Sequence, residues 1–316
     1  MSRTEVLEKW ITTLFPHQRP TFERLAGDAS FRHYWRLQVH DQTYVIMDAP
    51  PDKEDITPFI SMAYHLRAHG LPVPDVLSGH PDGFLLLSDL GDTLLLGELT
   101  PSTAPTYYDQ ALSALHQLNA CPPAPLYTIP PYDHDRLLQE LMLMMQWYLP
   151  HEAKTHAHPD KLAALFARII TICLEQPTVL VHRDYHSRNL LCLPDKTLAI
   201  LDFQDAVFGP ATYDLVSLLK DCYIDWPLEQ VHNWAWSFAQ THMSDYGMEP
   251  VDRSTWLYWF DVMGLQRHLK CLGIFTRLCH RDQKPHYLTY LPRVKHYIRT
   301  VCKLHPEFKA ILPYVT

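Results

Sequence analysis

Val181-His182-Arg183-Asp184-Tyr185-His186-Ser187-Arg188-Asn189-Leu190 sets an aspartate and an asparagine five residues apart in a polar loop between two short apolar runs. Transfer of a phosphoryl group from ATP needs a carboxylate beside the attacking hydroxyl, to orient it and receive its proton. It also needs a neutral oxygen that helps hold Mg²⁺ on the phosphates. Asp184 fits the first role and Asn189 the second. A further metal-binding carboxylate is then required shortly downstream, and Leu198-Ala199-Ile200-Leu201-Asp202-Phe203 supplies a buried strand ending in Asp202. One such motif arises readily from turn aspartates. The pair, each at a strand edge and separated by a short hairpin, points to phosphoryl transfer with ATP and Mg²⁺ as cofactors.

Composition bounds the rest. A chain of 316 residues is long enough for two lobes, each with its own core, and 47% hydrophobic against 20% charged residues is the balance of an ordinary globular protein. The net charge of −8 argues against a nucleic-acid partner. A polyphosphate must therefore meet local positive charge or bring Mg²⁺ with it. Seven cysteines, odd in number and without a CxxC pair, read as reduced thiols of a cytoplasmic protein. No basic-then-apolar leader opens the sequence, and no run reaches the ~18 apolar residues of a membrane span, so neither secretion nor membrane insertion is expected.

The expected fold class is α+β, with a small β-rich N-lobe over residues 1–90 that binds nucleotide and a larger helical C-lobe over residues 91–316 that carries catalysis and the acceptor. In the first lobe, Phe31 to Val39 and Tyr44 to Met47 read as strands joined by the turn His40-Asp41-Gln42. A helix follows: Thr57 as N-cap, Pro58 at the first helical position, Phe59, Met62, Ala63 and Leu66 at helical spacing, and Gly70 at the end. Another strand, Phe84 to Leu87, runs into Ser88-Asp89-Leu90-Gly91, where the backbone of Ser88, Asp89 and Leu90 would pair with adenine. Beyond it, helical periodicity marks Tyr107 to Leu118, Asp133 to Leu149, Lys161 to Leu174 and Trp256 to Leu278, with proline-rich loops between.

His186 stands two residues after Asp184, where protein kinases usually carry lysine, and this resembles the aminoglycoside phosphotransferase and choline kinase superfamily of small-molecule kinases. Gly209-Pro210-Ala211-Thr212-Tyr213-Asp214-Leu215 after Asp202 strengthens the likeness, with Asp214 read as a structural tie between the catalytic loop and the next helix. Gly27-Asp28-Ala29-Ser30, Met47-Asp48-Ala49-Pro50-Pro51, His182 to Asn189, Asp202-Phe203-Gln204-Asp205-Ala206 and Gly264-Leu265-Gln266-Arg267-His268-Leu269-Lys270 occur in that order. Together they resemble the bacterial family of anomeric amino-sugar kinases that act on N-acetylmuramate and N-acetylglucosamine, over nearly the whole chain. The resemblance implies a bilobal protein-kinase-like fold. It also implies a small-molecule sugar substrate phosphorylated by ATP at its C1 hydroxyl, giving an α-1-phosphate that feeds recycling of cell-wall sugar.

The nucleotide side departs from the usual kinase pattern. Gly27, Asp28, Ala29, Ser30 and Arg32 stand where backbone N–H groups would cover the phosphates, yet only one glycine is present. The strand slot that normally holds a phosphate-binding lysine is filled by Met47, and the following helix has no central glutamate to pair with one. Losing both is coherent, because a buried glutamate without its lysine would be an uncompensated charge. The lysine's work falls to Arg32, to Lys53 or to Mg²⁺, and the residues leave that choice open.

On the acceptor side, Trp147, Tyr148, Trp226, Trp234, Trp236, Trp256 and Trp259 could offer faces to a pyranose, although tryptophans are more often core. Gln266, Arg267, His268 and Lys270 are unusually polar for so apolar a segment. Arg267 or Arg277 would suit the lactyl carboxylate of N-acetylmuramate, an ion pair with one of the chain's own acids being the plain alternative. Asp205 joins Arg267 as a substrate-binding candidate. Of twenty histidines, His65 and His69 stand four apart without further ligands and do not make a zinc site. His182 is expected to brace the catalytic loop by hydrogen bonding and His186 to support it. Two other readings compete: a kinase of another small alcohol (an aminoglycoside, choline or an amino-acid hydroxyl), and a nucleotide-binding pseudokinase. The missing lysine favours the pseudokinase, whereas Asp184, Asn189 and Asp202 oppose it.

Overall fold

The computed structural model describes residues 2–25, 31–125, 127–153, 159–246 and 251–315. In chain order the first elements are α1 (Arg3–Leu14), β1 (Thr21–Arg24), β2 (His33–Val39), β3 (Gln42–Asp48), α2 (Thr57–Ala68), β4 (Val76–His80), β5 (Phe84–Ser88), α3 (Leu95–Glu98) and α4 (Ala104–Asn119). Next come α5 (His134–Leu143), a π-helical turn (Met144–Tyr148), α6 (Leu149–Glu152), α7 (Pro159–Leu174) and the short strands β6 (Thr178–Val181), β7 (Leu190–Cys192), β8 (Leu198–Ile200) and β9 (Val207–Pro210). The last helices are α8 (Tyr213–Leu219), α9 (Leu228–His242), α10 (Arg253–His280) and α11 (Leu291–Leu304). The chain divides into two compact units: Met1–Thr93 with Ala124–Thr128 and Leu191–Gln204, and Leu94–Pro123 with Ile129–Leu190 and Asp205–Thr316.

The smaller unit is built on an antiparallel sheet in the order β1-β2-β3-β5-β4. Alternation along β2 and β3 sends Leu37, Val39 and Ile46 to one face, where they pack with Phe84, Leu86 and the apolar stripe Leu7, Trp10 and Ile11 of α1. Ser2 and Glu5 close α1 with a reciprocal capping box. Met47 lies opposite Tyr34 on one side and Leu85 on the other, fully buried, so the slot where kinases place a lysine is apolar and mid-sheet. Three expected boundaries move, the first being that β3 starts at Gln42, paired with Val39, rather than at Tyr44. β2 begins at His33, leaving Phe31 61% exposed. The N-cap of α2 is Ile56 rather than Thr57, because the Asp55 carboxylate accepts the Thr57 N–H at 2.8 Å and makes Thr57 the first helical residue.

A tight turn before β5 depends on Gly83. Its φ is +83°, and an added Cβ would strike the carbonyl oxygen of Ala49, whose N–H is bonded to the Gly83 carbonyl at 2.9 Å. Gly83→Ala is expected to cost about 1–3 kcal/mol, measured as a lower urea midpoint at unchanged slope.

The larger unit is helical around α10, whose buried residues cover every side of the helix from Trp259 to Gly273. Asp252 caps it, accepting the Thr255 N–H at 3.0 Å. The segment expected as one helix from Asp133 to Leu149 is instead α5, a π turn and α6. The wider turn lies where Gly273 of α10 passes so near the backbone of Leu143 and Met144 that any Cβ there would collide. Strands β6 and β9 pair antiparallel and deliver the chain to the loop that opened the sequence reading.

Candidate active site

In the larger unit, the loop after β6 is anchored from several sides. Both Asp214 carboxylate oxygens accept backbone N–H groups, from His182 at 2.5 Å and Arg183 at 3.0 Å, so the structural role read for Asp214 is realised. Burial lifts Asp214 to about 6 against the pull of His182 and of those two N–H bonds. Tyr185 is fully buried and donates its hydroxyl to the Ala111 carbonyl of α4 at 2.8 Å. Ser187 gives both its N–H and its hydroxyl to Asp221, at 3.0 and 2.6 Å. The Asp184 N–H reaches His182 Nδ1 at 3.2 Å, which is the brace expected of that histidine. Asn189 donates its side-chain N–H to the Asp184 carbonyl at 3.0 Å. An amide that commits its nitrogen this way keeps its oxygen as the donor to a cation, so Asn189 fits Mg²⁺.

The Asp184 carboxylate lies in the field of basic side chains. Burial works to raise its pKa, but the fields of Lys270, His186, Arg267 and Arg183 outweigh it and hold the carboxyl at about 2. Three of the four polar residues that stood out on α10 thereby find partners. Gln266 Nε2 donates to Glu140 at 3.2 Å, His268 Nε2 meets the Lys220 carbonyl at 3.0 Å, and Lys270 Nζ donates to Glu140 at 2.9 Å and to Tyr213 at 2.8 Å. Glu140 also takes Arg183 Nη2 at 2.9 Å and the Tyr132 hydroxyl. Sequence reasoning missed Glu140 because it carries no motif. The polar cluster on α10 was the signal that a buried acid had to exist.

Arg267 is the fourth. It is 4% exposed and reaches Cys222 Sγ at 3.8 Å and Cys271 Sγ at 3.9 Å; among the described residues no carboxylate makes an ion pair with it. The plain alternative, a pair with one of the chain's own acids, is therefore not what is observed. Arg277 lies ten residues further along the same helix, about 15 Å away at 1.5 Å per residue, and senses Arg281 and Asp282 instead. Trp256, Trp259 and Tyr148 are core, and Trp226 donates to Tyr108 at 2.7 Å beside Trp234. The aromatic rings near the loop are others: Tyr223 meets the His186 ring at 5.4 Å and Tyr290 at 4.9 Å, with Arg188 over its face. Asp205 is exposed, and its carbonyl accepts Arg183 Nη1 at 3.5 Å.

The smaller unit holds the remaining candidates. Asp202 is exposed at φ +63°, with its Oδ1 accepting Gln204 Nε2 at 2.8 Å, while Gln204 Oε1 is buried and meets no protein donor among the described residues. An exposed carboxylate is a hard-oxygen donor of the kind that suits Mg²⁺. Arg32 pairs with Glu54 at 3.0 Å and lies in the field of Asp202. Glu54 comes just before α2 rather than inside it, which is why a search of the helix centre found no acid. Lys53 is half exposed and faces Asp52 at 3.7 Å. Ser88 Oγ accepts the Asp75 N–H at 2.8 Å, the Ser88 N–H donates to the Asp75 carbonyl at 3.0 Å, and the Asp89 carboxylate holds Arg36 at 2.6 Å and the Gly91 N–H at 3.0 Å, so neither side chain points to a ligand role and the Ser88 N–H expected to pair with adenine is already taken. Gly27, Asp28, Ala29 and Ser30 lie outside the described residues.

The chain matches the phosphotransferase enzyme family over residues 21–246. It is 41% identical over 289 residues to the N-acetylmuramate/N-acetylglucosamine kinase of Pseudomonas aeruginosa, covering 89% of this chain and 84% of that one. The protein of the same name from Pseudomonas putida is 38% identical over 287 residues, with the same coverage of 89% and 84%. Among solved structures, the ethanolamine kinase of Plasmodium vivax superposes with a TM-score of 0.65 at 12% identity, over 92% of this chain and 84% of that one. Among the described residues no helix is long and apolar enough to cross a membrane.

Proposed function

The chain belongs to the phosphotransferase enzyme family, and from that premise we propose that it transfers the γ-phosphoryl group of ATP to the C1 hydroxyl of N-acetylmuramate and N-acetylglucosamine. The relatives' names support the two sugars. The observation that carries the acceptor side is Arg267, a buried guanidinium that contributes to the field at Asp184 and has two thiols rather than an acid for neighbours. Such a group is suited to an anion brought by the substrate, and the lactyl carboxylate of N-acetylmuramate matches its fork. A polycationic aminoglycoside or choline would instead meet Lys270, Arg267 and Arg183 around Asp184.

In this reading Asp184 orients the C1 hydroxyl and receives its proton, and Asp205 lies at the acceptor side. Asn189 and Asp202 are the proposed ligands of Mg²⁺, which when bound would offset the negative charge of the phosphates. Arg32, held by Glu54, takes over the missing lysine's work better than Lys53, which is exposed beside Asp52. The stretch from Gly27 to Ser30 is proposed to cover the phosphates, and the backbone of Asp89 and Leu90 to pair with adenine, the Ser88 N–H being held by the Asp75 carbonyl. The product, a sugar α-1-phosphate, suits recycling of cell-wall sugar in the cytoplasm, where the free thiols of the seven cysteines would persist.

Two measurements test this. The 1-O-methyl glycosides of both sugars offer no C1 nucleophile and should give no phosphorylated product by ³¹P NMR, while the free sugars react; transfer to a methyl glycoside would exclude C1 chemistry. Arg267→Met should raise KM for N-acetylmuramate by roughly 10²-fold and leave that for N-acetylglucosamine nearly unchanged, since only the former brings a charge that is left unpaired. Equal effects on both sugars would place Arg267 in the scaffold.

A further inference from the structure

Arg183, the residue before Asp184, adopts φ +77°. A side chain in the left-handed region persists only where its surroundings over-determine it. Its backbone N–H is held by Asp214. Its guanidinium has one charged partner among the described residues, Glu140 at 2.9 Å; the contact from Nη1 to the Asp205 carbonyl is long at 3.5 Å, and Nε is buried without an acceptor. Glu140 is itself 6% exposed and binds a second cation, Lys270 Nζ at 2.9 Å. Lys270 then bonds the Tyr213 hydroxyl at 2.8 Å, and Tyr213 precedes Asp214 in α8. The side-chain anchor and the backbone anchor of Arg183 thus meet on α8. Glu140 comes from α5 and Lys270 from α10, so three helices converge on one residue of the loop.

A buried ion cluster is a poor device for stability alone, because apolar residues of the same volume usually serve as well or better. We infer that Glu140 and Lys270 are positioning residues for phosphoryl transfer: through Arg183 they hold the Asp184 carboxylate in the pose that meets the acceptor hydroxyl. This rests on the role proposed for Asp184 above.

The test is a kinetic cycle. Lys270→Met and Glu140→Gln should each lower kcat by about 10²-fold, the loss that follows a small misplacement of a reacting group, with KM for ATP within about twofold, since uniform binding is untouched. Lys270→Arg keeps a cation for Glu140 and Tyr213 and should recover much of the loss. In an Asp184→Asn background, Lys270→Met should lower the residual rate little further, because the group it positions is gone. Should either single variant fold poorly, the paired variant Glu140→Gln with Lys270→Met removes both charges at once, so that of the cluster only Arg183 loses its charged partner. It should show the same kcat loss without a larger drop than the worse single. Wild-type kcat in folded variants, or the same fold loss with and without Asp184, would overturn the inference. Normal turnover of Asp184→Asn alone would instead overturn the role of Asp184 and is read separately.

Discussion

Asp184→Asn is expected to lower turnover by about 10²- to 10⁴-fold with the sugar saturating, the range for a positioned base, while ATP binding survives. Asparagine keeps the size and an acceptor oxygen but removes the charge that the fields of Lys270, Arg267 and Arg183 favour. The same cations define the pH behaviour. They depress the folded-state pKa to about 2, below the ordinary carboxylate value near 3.9, so the ionised form is fully present above that ordinary value and is lost only as pH falls towards 2. No acid limb from Asp184 is therefore expected in the rate profile near neutrality. So weak a base takes little proton before the phosphoryl group has largely left ADP. Its contribution is then mainly to orient the hydroxyl, in keeping with the loose transition state of phosphoryl transfer. Near-normal turnover of the variant would remove Asp184 from the mechanism, and a steep acid limb at pH 6 that disappears in Asp184→Asn would show that the cations do not hold its pKa down.

What could be read from sequence, and what could not, follows from how far apart the partners lie. Asp184, Asn189 and Asp202 could be proposed from sequence because phosphoryl transfer fixes their spacing within one loop and the next hairpin. Asp214 was legible for a similar reason, since a Gly-Pro turn places it in the first turn of a helix, where its carboxylate takes the N–H groups of His182 and Arg183. Glu140 was not, because its partners Arg183, Gln266 and Lys270 lie 43, 126 and 130 residues away. No local pattern in α5 distinguishes it from a surface acid, and only the oddly polar stretch of α10 hinted that a buried charge needed partners. The pair Arg32–Glu54 escaped for a smaller reason: the acid was sought inside α2, where the lysine's usual partner sits, and it lies three residues before the first turn. The π turn in the Asp133 to Leu149 segment could not be foreseen from helical periodicity, since Gly273, more than a hundred residues on, creates the need for it.

Asp202→Asn is the second substitution of large expected effect, lowering transfer by roughly 10³-fold or more through loss of the charged ligand proposed for Mg²⁺. Asparagine is the informative choice because Asp202 sits at φ +63°, a conformation that Asn and Asp tolerate and alanine does not, so Asp202→Ala would mix backbone strain of about 1–2 kcal/mol with the loss of the ligand. Asparagine also keeps an oxygen for Gln204 Nε2, which bonds the Asp202 carboxylate at 2.8 Å. Because the side chain is exposed, the thermal midpoint should stay close to that of the wild type, and the deficit should appear in the metal dependence. Raising Mg²⁺ should recover part of the activity if the weakened site can be filled by mass action, and Mn²⁺, which binds oxygen ligands more tightly than Mg²⁺, should recover more. A variant with wild-type turnover and an unchanged Mg²⁺ titration would mean that another carboxylate carries the ion. Asp205, exposed three residues further on, would then be the residue to substitute.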